Sequence, residues 1–495
     1  MGAALRILAA GWLLIRHDAL LPREAEALLP APLRLAARLL RLFAGDEARR
    51  GRPGERLARA FERLGPVAIK LGQLLSTRAD IFGEAFAADL ARLKDRLPPF
   101  STAEARAGVE ASLGKPVEAV FARFGEPVAA ASVAQAHEAE LLDGRRVAVK
   151  VLRPGVERRV ARDLRAMRLG ARLAEAVPSA RRLEPRLFTA TVARALTLEL
   201  DLRLEAAAAG ELAEVMARDA YVRAPEVVWE GVGLRCLTLT WAEGLALSDP
   251  AALEQPSLDR PALANNVIRG FLAQALDHGA FHADLHEGNL FAAAPDRLTA
   301  IDFGIVGRLS AEDRRVFAEV LWGFLRRDYR RVAEVHFEAG YVPADQDVAA
   351  FAQALRAVGE PIFGRAAQDV SMGRLLAQLF EITGLFGMHL RPELVLLQKT
   401  MVTVEGVARR IDPGHDIWAA ARPVVERYIA RELGPAARVR RFAAEAERAV
   451  KTLSRLGEAP GPRTVVVERR SSAGPAWAAL LLAAAALAVA VAALV

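Results

Sequence analysis

Two short stretches hold side chains whose types and spacing suit one kind of chemistry. HADLHEGNLF, residues 282–291, places Asp284 and Asn289 five residues apart, and IDFGIVG, residues 301–307, places Asp302 thirteen residues beyond Asn289. A carboxylate can orient a nucleophile or accept its proton. An amide oxygen and a second carboxylate are hard ligands of the kind that hold magnesium on a triphosphate. His282 and His286 offer a competing reading as two zinc ligands four residues apart on a helix. No Glu stands in the HExxH position and no third ligand is evident, so the oxygen-ligand reading is preferred. Asp-Phe-Gly by itself recurs by chance; its distance from Asp284 and Asn289 is what gives it weight.

Upstream, Lys150 lies in VAVKV, a run of β-prone residues. A lysine inside a short strand is partly buried and needs an anionic partner. Its residue type is informative in this chain, which has 61 arginines and only six lysines: Lys70, Lys94, Lys115, Lys150, Lys399 and Lys451. Where a plain positive charge suffices the chain uses Arg, so a retained Lys marks a place where a compact ammonium serves better than a broad fork.

These residues need elements to position them. Glu126–Leu152 reads as two β-capable runs flanking Asp143-Gly144, a dipeptide suited to tight hairpin turns. Helical spacing governs 1–60, 61–98 and 156–220, and a second strand-like stretch covers Val227–Trp241. Beyond Gly244 the pattern is helical except around 289–305. With 495 residues, 53% hydrophobic and 26% charged, the chain has ample material for a core, and disorder is excluded as its main state. A single cysteine, Cys236, excludes a disulfide scaffold and a Cys-rich zinc module.

Formal net charge is +7, and ten Lys/Arg against five Glu fall within 431–470. This basic stretch directly precedes residues 476–495, twenty residues with no charged or polar side chain. Such a run is long enough, as a helix, to cross one hydrocarbon core of roughly 30 Å. The placement favours a membrane over nucleic acid as partner, and the flanking arginines predict that the long N-terminal region faces the cytoplasm. The shorter apolar run Ile7–Ile15 has no cleavage site after it and reads as an amphipathic or core helix.

Asp284-x4-Asn289 followed by Asp-Phe-Gly has the spacing of the protein-kinase catalytic and metal-binding loops. Together with KLGQ at 70–73, AAASVAQAH at 129–137, VAVK at 147–150 and ELDLRLEA at 199–206, these motifs resemble the UbiB/AarF family of atypical protein-kinase-like proteins over roughly 61–420. The resemblance implies an α+β, two-lobe kinase-like fold, with a small β-rich lobe, a helical lobe, an N-terminal helical extension and a C-terminal transmembrane helix. The corresponding regions are 1–60, a helical region; 61–125, the extension carrying KLGQ; 126–246 and 247–430, the two lobes; 431–474, a basic juxtamembrane region; and 475–495, the membrane helix.

By the same resemblance, Lys150 contacts the nucleotide phosphates and pairs with a helix carboxylate, Glu205. Val128, Ala129, Ala130, Ala131, Ser132, Val133, Ala134, Gln135 and Ala136 cover the nucleotide. Asp284 is the catalytic carboxylate, while Asn289 and Asp302 hold Mg2+ on ATP. Lys70 and Gln73 belong to an extension that folds over the active site, with Glu199 and Asp201 facing it. Alanines stand where ordinary kinases have glycines, which reduces backbone freedom. After Asp302-Phe303-Gly304 the chain runs into a helix with no long activation segment, leaving little platform for a protein substrate.

The implied activity is therefore a membrane-anchored, magnesium-dependent kinase-like ATPase supporting ubiquinone or related isoprenoid-quinone biosynthesis. Its partners would be a membrane lipid or quinone intermediate and quinone-biosynthesis enzymes, with no nucleic acid. A small-molecule or lipid kinase and a non-catalytic, nucleotide-gated lipid-binding scaffold are the alternatives.

Overall fold

The computed structural model describes residues 2–20, 23–28, 31–76, 83–91, 93, 98–175, 184–362, 378–379, 382, 384–388 and 391–434. The described residues divide into two compact units: those up to Leu204 with Val228–Leu239, and Glu205–Val227 with those from Thr240 onward. Mixed helices and sheets fit the kinase-like α+β expectation. The apolar segment 476–495 and the basic stretch from 435 onward lie outside the described residues. Among the described residues no helix is long and apolar enough to cross a membrane.

The first unit opens with helices α1 (Ala3–Arg16), α2 (Ala31–Arg41), α3 (Pro53–Leu64), α4 (Pro66–Ser76) and α5 (Glu84–Ala91). Ala58, Phe61, Leu75, Leu90 and Leu93 form the buried cluster that holds α3, α4 and α5 together. Proline at the first position of α3 and of α4 costs no helical hydrogen bond. Gly65, at φ +100°, makes the sharp corner between those two helices.

Helix α6 (Thr102–Leu113) starts from a Ser101/Glu104 capping box and leads to a four-stranded sheet. Its strands, β1 (Phe121–Ala130), β2 (Ala134–Leu141), β3 (Arg146–Leu152) and β4 (Cys236–Thr240), lie in the order β1-β2-β3-β4. Val147, Val149 and Val151 alternate inward and pack with Phe121, Leu141, Val109 and Cys236, as a period of two requires. Helices α7 (Val156–Glu175) and α8 (Pro185–Glu199) complete this unit, with Arg6 of α1 ion-paired to Asp163 of α7.

The structure refines the strand assignments. Between 121 and 152 there are three strands, since the alanine-rich run bends at 131–133 and makes a hairpin of its own; the Asp143-Gly144 turn is as expected, with Gly144 at φ +85°. Of Val227–Trp241 only Cys236–Thr240 is strand, and Trp229–Gly231 is a single 3-10 turn. The second unit also holds more short strands than helical spacing suggested, because three-residue pairs carry too little alternation to be read.

Helix α9 (Leu202–Met216) leads into the second unit. There α10 (Arg260–Ala273) ends in a π turn, Gln274–His278. Strand β5 (Leu245–Ala246) lies beside β7 (Leu290–Ala293), which pairs with β8 (Arg297–Ala300), while β6 (Ala280–His282) pairs with β9 (Val306–Arg308). Helices α11 (Ala311–Arg326), α12 (Tyr329–Glu338), α13 (Val348–Gly359), α14 (Pro392–Ile411) and α15 (Ile417–Leu433) follow.

Candidate functional site

In the second unit, two antiparallel pairs bring the motif loops together. His282 is opposite Val306 in the β6–β9 pair, and Leu290 is opposite Ala300 in the β7–β8 pair. The loop bearing Asp284 and Asn289 thus begins and ends on the same strand pairs as the loop bearing Asp302. Residues thirteen or more apart in sequence are fixed together without any long element.

His282 is fully buried and acts as the hub of these loops. Its Nδ1 accepts the Asp284 backbone N–H at 3.1 Å, so Nε2 carries the proton and donates to the Ile301 carbonyl at 3.0 Å. Its own backbone N–H donates to Gln274 Oε1 at 3.0 Å, from the π turn. Its ring packs on Phe303, with centroids 5.3 Å apart. Burial holds the imidazole below its ordinary pKa, while Asp302 and Asp284 pull the other way. It is therefore a neutral structural ring, and with both nitrogens engaged it has no lone pair left for zinc. Among the described residues no group of three or more His, Cys, Asp and Glu could hold a metal ion.

Asn289 is buried, and its Nδ2 donates to the Asp284 carbonyl at 3.0 Å. A carbonyl can only accept, so the amide nitrogen must face it and the amide oxygen is left as a ligand. The Asn289 carbonyl in turn accepts from Ile301 N–H at 2.9 Å. Asp302 is exposed and sits at φ +62°, a left-handed conformation that is uncommon for residues other than glycine and that concentrates at functional sites. Asp284 is half-buried, with the exposed His286 ring 3.8 Å from its carboxylate. One amide and one aspartate oxygen suit magnesium, which keeps several waters and takes substrate phosphates as further ligands.

In the first unit, Lys150 is half-buried on β3, opposite Ala136 and on the sheet face away from the inward valines. The hairpin between β1 and β2 carries the residues assigned to the nucleotide-covering loop. Val128 and Ala129 are exposed; Ala130, Ala131, Val133 and Ala136 are half-buried; Ser132, Ala134 and Gln135 are buried. Ala129 and Ala130 are strand residues, paired opposite Ala136 and Gln135, and only 131–133 form the bend.

Side chains from outside the bend hold it in place. Arg153 Nε donates to the Ala131 carbonyl at 2.7 Å, its Nη1 donates to Pro98 O at 2.9 Å, and its backbone N–H donates to Val133 O at 2.9 Å. Gln135 exchanges two hydrogen bonds with the backbone of Phe100, at 2.9 and 3.0 Å. It also lies 2.7 Å from His137 Nε2, whose Nδ1–H donates to Gly125 O at 2.9 Å. Burial keeps His137 neutral, below its ordinary pKa.

On the extension, Lys70 forms an ion pair with Glu199 at the end of α8. Gln73 is half-buried one turn further along α4. Gly72 stands where a Cβ would run into Leu93 and lie 2.8 Å from the Phe61 ring, so this KLGQ glycine is required for close helix packing. Asp201 precedes α9 and binds Arg203 through both carboxylate oxygens, at 2.8 and 2.7 Å, which holds its pKa below the usual carboxylate value. Glu205 occupies the first turn of α9, where a negative charge suits the helix N-terminus.

Sequence reasoning missed His282, Gln135, His137, Arg153 and Gly72 as position-setting residues. The signal was present in part, since all but Arg153 lie inside the quoted motifs.

A strand-closed loop pair bearing Asp284, Asn289 and Asp302 in one unit, together with a sheet bearing a strand lysine in the other, is the combination expected of an atypical kinase-like protein. Residues 92–336 match the ABC1 atypical kinase-like domain, and residues 355–416 match the UbiB helical domain. A Marinobacter nauticus protein named probable protein kinase UbiB is 40% identical over 440 residues, spanning 87% of this chain and 79% of that protein. Another of that name from Pseudomonas putida is 41% identical over 400 residues, spanning 80% and 74%. The chain belongs to the UbiB family. A solved structure of Rv3197 with erythromycin, from Mycobacterium tuberculosis, covers 80% of this chain and 98% of its own, with a TM-score of 0.48 and 22% identity.

Proposed function

We propose that the chain binds magnesium–ATP and hydrolyses it, in support of ubiquinone or related isoprenoid-quinone biosynthesis at a membrane. The observation that carries the reading is the His282-centred join of the Asp284–Asn289 loop to the Asp302 loop, with the Asn289 oxygen left available. In this reading Asn289 and Asp302 hold magnesium, which supplies charge neutralisation at the phosphates. Lys150 meets phosphate oxygens as a compact cation. Asp284 orients the attacking water and accepts its proton as the water oxygen bonds to the γ-phosphorus and the bond to the β-phosphate oxygen breaks. Lys70, paired with Glu199, keeps the KLGQ helix in its working position.

Hydrolysis is favoured over protein phosphorylation by the short path after Gly304. Only β9 and three further residues separate Gly304 from α11 at Ala311, so no activation segment intervenes. The stapled hairpin at 131–133 supports the same view, because a restrained cover adapts poorly to varied acceptors. The apolar 476–495 run and the basic residues before it support membrane anchoring with the catalytic region in the cytoplasm. The 126–246 and 247–430 regions serve as the two lobes in this reading.

Free-phosphate release from magnesium–ATP by the purified full chain tests the activity, with Asp284→Asn expected to fall by about a hundredfold or more. Phosphorylated lipid or small-molecule product in place of free phosphate would make it a kinase, and binding without turnover would make it a scaffold. The quinone and intermediate profile of cells lacking the chain tests the pathway.

A further inference from the structure

A groove in the first unit, outside every residue used above for nucleotide or metal, has the size and chemistry of a ligand site. Helices α7 and α8 line an open groove of about 560 Å³. That is within the range of small-molecule pockets. Its lining is mostly apolar, with Ala171, Thr189 and Ala193 the most buried, Ala190 and Leu198 nearer the surface, and the exposed Arg168, Arg172 and Arg194 around it. Leu198 leaves about half of its surface exposed there.

Several exposed arginines of the second unit are paired with carboxylates: Arg331 with Glu319 and Glu338, Arg427 with Asp219 and Asp277, Arg308 with Glu211. Among the described residues Arg168, Arg172 and Arg194 have no acidic partner; Arg186, at the edge of the groove, pairs with Glu175 at 2.5 Å. From 165 to 198 the sequence has seven arginines and two acidic residues. Three guanidinium forks around a mostly apolar lining match one ligand shape, an anionic head with a hydrocarbon chain. Guanidinium favours phosphate, which it can grip through two parallel hydrogen bonds.

We propose that this groove binds a phosphate-headed membrane lipid, its head on Arg168, Arg172 and Arg194 and the start of one chain on Ala190, Ala193 and Leu198. The groove ends at Leu198, next to Glu199, so an occupant adjoins the helix end that holds Lys70. Binding here is independent of the nucleotide reading and is measured without ATP.

The test is photolabelling of the full chain in dodecyl maltoside micelles, which carry no phosphate, with a diazirine-bearing decyl phosphate, the matching decanol serving as the uncharged control. The phosphate probe is expected to label residues 185–199 saturably. Dioctanoyl phosphatidic acid should compete and inorganic phosphate should not. Arg172→Gln with Arg194→Gln should lower labelling about tenfold, and Ala190→Trp, which adds bulk to the groove's lining, should remove it; circular dichroism confirms that each variant is folded. Equal labelling by decanol, full competition by inorganic phosphate, wild-type labelling of the folded variants or labelling elsewhere would each overturn the proposal.

Discussion

The two motif-bearing regions are stabilised in opposite ways. In the second unit, the Asp284–Asn289 loop and the Asp302 loop are held from within, by two short strand pairs and one buried imidazole between them. In the first unit, the bend at 131–133 is held from outside, by Arg153 and by Gln135 reaching the Phe100 backbone. The first arrangement holds both loops to one geometry, which is what the proposed metal site would need. The second ties a cover down at a few points, so its mobility can be changed without dismantling the sheet. The geometry of the Asp284–Asn289 and Asp302 loops and the mobility of the 131–133 bend are thus set by different residues.

That difference can be broken from either side. The largest loss is expected for His282→Ala, which leaves the Asp284 N–H and Ile301 carbonyl unpaired and opens a void against Phe303. About 2–4 kcal/mol of stability should go, read by thermal unfolding, together with ATP turnover. Gly307→Ala comes next, since its new Cβ would run into the buried Phe281 ring on the paired strand. A cost of about 1–3 kcal/mol is expected, with faster hydrogen exchange in 280–308. Arg153→Ala should cost about 1–2 kcal/mol and raise exchange at 129–135 while leaving 280–308 unchanged. Equal changes in both regions would end the contrast.

The smallest effect is on pH. Burial depresses His282 below its unperturbed 6.5, so the folded form favours the neutral ring. Its stabilisation is complete above 6.5 and is lost as the pH falls through the depressed value. Protection factors in 280–308, corrected for the intrinsic rate, should therefore fall on acidification, and His282→Gln should flatten that response there while leaving the His137 region sensitive.

Much of this was legible in the sequence, for physical reasons. Asp284, Asn289 and Asp302 stood out because oxygen ligands at fixed spacing have few other uses. Lys150 stood out because the chain otherwise writes Arg. The Asp143-Gly144 turn was visible because its backbone needs a positive φ. The extra hairpin was not, since alanine signals neither strand nor bend, and a bend closed by Arg153 from twenty residues away has no local signature. Gln135 and His137 lay inside a recognised motif, yet their burial depends on Phe100, thirty-five residues from Gln135. Gly72 reads as a helix weakness until Phe61 and Leu93 are seen against it.

The most direct test of the account is a magnesium titration of ATP binding by the full chain, compared with Asp302→Asn and Lys150→Arg. Asp302→Asn should move the magnesium midpoint about tenfold or more upward, since a hard anionic ligand is lost. Lys150→Arg should weaken nucleotide affinity with the magnesium midpoint in place, because a broad fork replaces a compact ammonium. A wild-type magnesium midpoint in Asp302→Asn would contradict the assignment of the Asp302 loop as the metal-binding half of the site.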